Sequence, residues 1–248
     1  MCKKREERVG ESYVITSGCV ATIIKVLDGH KVQVQMDDGK ILDVYYNHLK
    51  RGKVRNPNFK NLYGVAKCGI GRHLTNVDDK PTKVYGTWKG MIDRCYNPKN
   101  FIKRPTYEGC SVCEEWLTFQ VFADWFELNY NPETMDRWHL DKDIIVKNNR
   151  IYSPETCAFV PNQVNILFTK LKNSNGLPRG VRKTDSGKYS SRLGDRFYFK
   201  VEDTPEEAFK AYKEAKENRI KEVADKWKDL IDIRVYDAMQ NYSVEIQD

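Results

Sequence analysis

Between Gly176 and Lys200 the chain carries seven cations, Arg179, Arg182, Lys183, Lys188, Arg192, Arg196 and Lys200, against two acids, Asp185 and Asp195. Side chains of this kind meet phosphates and release the counterions condensed around a nucleic acid, which gives affinity without sequence information. Arginine adds a fork that contacts guanine edges or phosphate bidentately. A solvated basic face is the alternative for the same residues. A second candidate set is Cys110-x-x-Cys113 with Cys95 and Cys157, the ligand number of structural zinc. Only one CxxC pair is present, so buried core cysteines are the preferred account. A third set lies in HLDKDIIVKNNRIYSPETCAFVPNQVNILF, residues 139 to 168, with His139, Asp141, Lys142, Asp143 and Asn165. A lysine of ordinary pKa, about 10.4, is protonated at neutral pH; it grips phosphate but cannot accept a proton. His139, a lone histidine beside Trp138, reads first as structural.

These residues need elements to hold them. In the C-terminal segment, two short strands around Asp185-Ser186-Gly187 precede a helix with Thr204 as N-cap, Pro205 at its first position and Glu207 completing a capping box. Ala208, Ala211, Tyr212 and Ala215 make a narrow apolar stripe, small enough for the helix to lie close on a sheet. If the helix covers one face of a three-stranded sheet, the cations populate the other, a surface able to enter a major groove. Upstream, residues 9 to 55 alternate in β fashion, with Val32, Val34 and Met36 pointing one way and Asp37-Asp38-Gly39 as a turn. We read there a small curved sheet or barrel of about five strands. The stretch from Lys53 to Lys83 is loop-like. Helical spacing then joins Trp88, Met91, Ile92 and Cys95, and again Trp116, Phe119, Phe122, Ala123 and Phe126, as buried faces rather than base-stacking platforms. Residues 169 to 178 read as a linker.

The predicted class is α+β and multidomain: 1–56 a small β-barrel, 57–84 a connecting segment, 85–170 a finger-containing core and 171–248 a sheet-and-helix domain with C-terminal helices. With 40% hydrophobic and 31% charged residues in 248, the composition is that of a soluble globular protein, and the net charge of +7 favours a polyanionic partner. The charged N-terminus does not resemble a signal peptide, and no run approaches the roughly 18 apolar residues of a membrane span. Seven cysteines, an odd number, suit a reducing compartment. The expectation is a cytoplasmic protein with no membrane partner.

The C-terminal segment resembles the ethylene-response-factor type of DNA-binding domain, a three-stranded sheet on one helix found in plants and in phage and mobile-element nucleases. The matched residues are RGVR at 179 to 182, GKY at 187 to 189 and TPEEAFKAYKEA at 204 to 215, within about 50 residues. The resemblance implies double-stranded DNA as partner, contacted by Arg179, Arg182, Lys188, Tyr189 and Arg192 with Lys183 beside them.

Residues 85 to 168 resemble phage-type HNH endonucleases, the His-Me finger group. That likeness rests on GTWKGMIDRCYN at 86 to 97, YEGCSVCEEW at 107 to 116, and LDKD with YSPETC leading into NQVN. In that fold one strand presents an Asp and a His, a second carries an Asn that braces the loop, and the following helix returns a His or Asn to a divalent metal. By the resemblance Asp141 and Asn165 are the Mg²⁺ ligands, Lys142 stands at the general base, Thr156 stands at the bracing Asn, and His139 is a substitute base. The implied activity is a Mg²⁺-dependent endonuclease acting on duplex DNA near a recognised site, a slow one given the altered base. The alternative is a DNA-binding, regulatory protein that keeps the fold without cleaving. A host-protein-binding role through the N-terminal module is a third reading.

Overall fold

The computed structural model describes residues 5–169, 176–193 and 198–246. The chain is α+β, and it divides into two compact units, residues 1–105 with 114–124, and residues 106–113 with 125–248. No helix among the described residues is long and apolar enough to cross a membrane.

The first unit opens with four antiparallel strands, β1 (Ser12–Val14), β2 (Val20–Val26), β3 (Lys31–Met36) and β4 (Ile41–Tyr45), in the order β1-β2-β3-β4. The expected five-stranded barrel is therefore a four-stranded open meander, whose outermost strands are not paired to each other. Alternation works as the sequence implies: Val32, Val34 and Met36 are buried with Ala21, Ile23 and Leu49, and Gly39, at φ +80°, makes the turn after β3. The short helix α1 (Tyr46–Lys50) closes this core through Leu49.

Residues 53–82 hold one small hairpin, β5 (Asn76–Val77) with β6 (Lys80–Pro81), turned by Asp78 and Asp79 at positive φ. Helix α2 (Lys83–Tyr96) starts at Thr82, whose side chain accepts from the Tyr85 amide. Trp88, Met91, Ile92 and Cys95 are all buried, as their spacing predicts. The Trp88 indole donates to the Trp116 carbonyl at 2.7 Å, so the polar edge of that core ring is satisfied. Helix α3 (Pro98–Lys103) follows. Helix α4 (Phe119–Asn129) places Phe119, Phe122 and Ala123 in the same core.

The second unit contains β7 (Ser111–Val112), β8 (His139–Asp141), β9 (Ile151–Tyr152), β10 (Ala158–Val160) and helix α5 (Asn162–Phe168). Strands β8 and β10 pair antiparallel, while β7 and β9 pair parallel beside them. Phe159 on β10 is buried against the rings of Trp125, Phe126 and Tyr130. Then come β11 (Val181–Lys183), β12 (Tyr189–Leu193) and β13 (Tyr198–Glu202), an antiparallel sheet covered by helix α6 (Pro205–Trp227), and last α7 (Ile233–Gln240). The expected start of α6 is present: the Thr204 hydroxyl accepts from the Glu207 amide at 3.2 Å, with Pro205 in the first turn. Most of the expected linker, residues 170–175, lies outside the described residues.

Candidate nucleic-acid interface and finger site

Residues directly opposed in an antiparallel ladder point to the same side of the sheet. Val181 faces Ser191, which faces Lys200, and both Val181 and Ser191 are buried, so this row lies under α6. The row two positions away, Lys183, Tyr189 and Glu202, shares that side. The other side carries Arg182, Ser190 and Val201 in one row and Arg192 in the next. Arg182 and Arg192 are both exposed, with the short Ser190 between them and Val201 beside it. The face opposite α6 therefore carries Arg182 and Arg192 around the buried Ser190.

Four further expected contacts sit elsewhere. The Arg179 guanidinium is turned onto the Thr169 carbonyl, just past the end of α5. Gly180, at φ +77°, lies so close to the Tyr212 ring of α6 that a Cβ there would meet it at 2.2 Å, which fixes the chain's entry into β11. Lys188 is in the hairpin turn, paired with Asp203 at 2.8 Å. Lys183 and Tyr189 share the helix side, Lys183 exposed at its end and Tyr189 half-buried. Lys200 is paired with Glu202. Arg196 and Asp195 lie outside the described residues.

The segment expected to be a finger forms a two-stranded ladder followed by a helix: Asp141 opposes Ala158, His139 opposes Val160, and α5 starts after Pro161 and packs on β8. Asp141 and Asn165 thus belong to one ββα unit. One carboxylate oxygen of Asp141, Oδ1, accepts from the amides of Asp143 and Ile144, both at 2.9 Å, which turns the chain out of β8. Its other oxygen accepts no hydrogen bond from the described residues. Burial, with the neighbouring charge of Asp143, pushes the Asp141 carboxyl up to about 6 despite those two amides.

Lys142, next in the chain, points the other way and is buried, 7% exposed. Its ammonium donates to Asp143 Oδ2 at 2.8 Å and to the Asn149 carbonyl at 3.2 Å. Burial pulls its pKa down, but the hydrogen bond and charge of Asp143 outweigh this and hold it above the ordinary lysine value. Lys142, expected at the general-base position, is therefore a charged strut inside the loop.

Asn149 does the bracing. Its amide nitrogen donates to the carbonyls of Lys142 at 2.6 Å and Ile151 at 2.7 Å, and its oxygen accepts from the Ile151 amide at 3.2 Å. Thr156, assigned to that task by position, stands in the turn before β10; its hydroxyl donates to the Ile151 carbonyl at 2.8 Å. A second missed residue is Arg234 of α7. It donates to the carbonyls of Pro154, Glu155 and Cys157 and pairs with Asp232, clamping the same turn. Asn149 was findable as a loop amide with local partners; Arg234 lies far away in sequence and leaves no local signal.

His139 is exposed on β8, two residues from Asp141 and so on the same side of the strand. Asn165 is half-buried in α5. Of the four candidate zinc ligands, Cys95 is buried on α2 in the first unit. Among the described residues, Cys110, Cys113 and Cys157 do not bring three sulfurs within 4.8 Å of one another. Burial pushes the Cys157 thiol up to about 12.

Comparisons with protein-family models, with curated proteins and with solved structures return no match to this chain. The likeness to HNH and ethylene-response-factor domains rests on the quoted residues.

Proposed function

We propose that the protein binds double-stranded DNA through the uncovered face of its C-terminal sheet and that its finger serves as a scaffold without hydrolytic activity. The observation that carries this reading is the ladder register, which sets Arg182 and Arg192 on the one face that α6 leaves open. Two forks on a short twisted sheet suit the width of a B-form major groove, which RNA duplexes do not offer. On the finger, Lys142 is charged and internally paired, so the chain lacks a base where the fold would keep one.

Fluorescence anisotropy with labelled duplex over a salt series tests the reading. Arg182→Ala/Arg192→Ala is expected to weaken binding and flatten the log-log salt slope by about 2. A wild-type protein that leaves duplex unbound at low salt, or a double variant identical to it, overturns it.

One observation favours a second reading, a slow Mg²⁺-dependent endonuclease: His139 shares a strand side with Asp141, whose Oδ2 accepts no hydrogen bond from the described residues. Asp141 and Asn165 supply the hard oxygens such an ion takes, and the ion would polarise a scissile phosphate. His139 would hold the proton taken from water. Metal-dependent nicking of supercoiled plasmid that disappears in Asp141→Ala would establish it.

A further inference from the structure

Residues 44 to 77 contain seven Lys or Arg and not one Asp or Glu. Two of the seven are occupied or partly shielded: Arg72 pairs with Asp124, and Lys67 is half-buried. The other five, Lys50, Arg51, Lys53, Arg55 and Lys60, are exposed, and none is in an ion pair among the described residues. This contrasts with the C-terminal sheet, where Lys188 and Lys200 have carboxylate partners.

The backbone displays these cations in order. From Arg51 to Asn56 burial alternates, with Arg51, Lys53 and Arg55 exposed while Val54 and Asn56 are buried. Lys50 and Arg51 lie at the end of α1, Gly52 turns the chain at φ +65°, and Lys53 and Arg55 follow two residues apart, roughly 6.6 Å where the chain is extended. The segment is pinned at both ends. The Gly52 carbonyl accepts from the Thr16 amide at 2.9 Å, and the Asn56 side chain donates to Asp38 and accepts from the Asn58 amide. A row of unpaired cations on a fixed backbone loses little conformational freedom on meeting a polyanion. Each cation that reaches a phosphate releases a counterion.

We propose that the row Lys50, Arg51, Lys53 and Arg55 is a second DNA-binding surface, which grips the phosphate backbone of duplex DNA without reading bases. Its partner is taken to be duplex DNA because the C-terminal sheet is read as a DNA-binding face; the row itself stands on independent residues in the other unit.

The test compares four full-length proteins on one labelled random-sequence duplex: wild type, Lys50→Gln/Arg51→Gln/Lys53→Gln/Arg55→Gln, Arg182→Ala/Arg192→Ala, and the combination. All six side chains are exposed, and circular dichroism melts check that each protein folds. The quadruple variant is expected to lower the salt slope by about 3 to 4 and to weaken binding at least tenfold at low salt, also in the Arg182→Ala/Arg192→Ala background. A quadruple variant with the wild-type slope overturns the inference and leaves the sheet reading intact. Loss in the quadruple variant with none in the arginine pair supports the row and overturns the sheet reading. A wild type that leaves duplex unbound overturns both.

Discussion

The ammonium of Lys142 sits 2.8 Å from the Asp143 carboxylate and 3.2 Å from the Asn149 carbonyl, inside the loop that joins β8 to β9. Its two hydrogen bonds tie that loop together from inside. Lys142→Met keeps much of the buried stem but strands the carbonyl and one carboxylate. Because Asp143 is nearly half exposed, the expected loss is about 1–2 kcal/mol, well under the full cost of breaking a buried pair. Urea titration measures it, and in that background Asp143→Asn should cost less than it does in the wild type.

Asp141 makes stability depend on pH. Its folded pKa, about 6, lies above its ordinary 3.8. Its favourable contribution is therefore complete below about pH 4 and is lost as pH rises through about 6. Asp141→Asn keeps an oxygen for the two amides and removes the charge. In chelator-treated buffer the variant should melt with the wild type near pH 4 and a few degrees above it at pH 7, corresponding to about 1 kcal/mol or more. A difference that does not change with pH contradicts the assignment.

Arg234 holds the turn before β10 by donating to the carbonyls of Pro154, Glu155 and Cys157. Arg234→Met should destabilise the protein by about 2 kcal/mol, since three acceptors and the Asp232 partner lose one charged donor. Amide hydrogen exchange should rise in residues 153 to 157 before it rises elsewhere. Uniform exchange across the unit would show that the clamp is not local.

Lys216 on α6 is half-buried and donates to the Leu167 carbonyl at 2.6 Å; burial first, and then the charge of Arg179, pull its pKa down to about 8. Folded below unfolded, this lysine penalises the native state at neutral pH, and the penalty fades as pH rises from about 8 towards 10. The wild type should therefore gain stability relative to Lys216→Met over that window in urea titrations. A constant difference would place the ammonium in solvent.

Much of this was legible in local pattern. The stripes of α2 and α6, the Thr204 cap and the Asp37-Asp38-Gly39 turn follow from spacing and turn chemistry, which act over a few residues. What spacing does not encode is closure and facing. Whether the N-terminal strands close depends on pairing between β1 and β4, distant in sequence, and they stay open. Which cations face out depends on register: Arg182 and Lys183 are neighbours in the chain yet lie on opposite sides of the sheet. Arg179 was drawn from the expected interface by the carbonyl of Thr169, a contact no motif announces.

Selection of duplexes from a random library, with wild type and Arg182→Ala/Arg192→Ala side by side, tests most directly whether the open face of the C-terminal sheet reads DNA. The wild type should enrich a recurring sequence. The double variant, still folded, should lose it, because each arginine fork discriminates among bases by about 1–3 kcal/mol. Equal enrichment by both proteins, or none by the wild type, would contradict the assignment of that face.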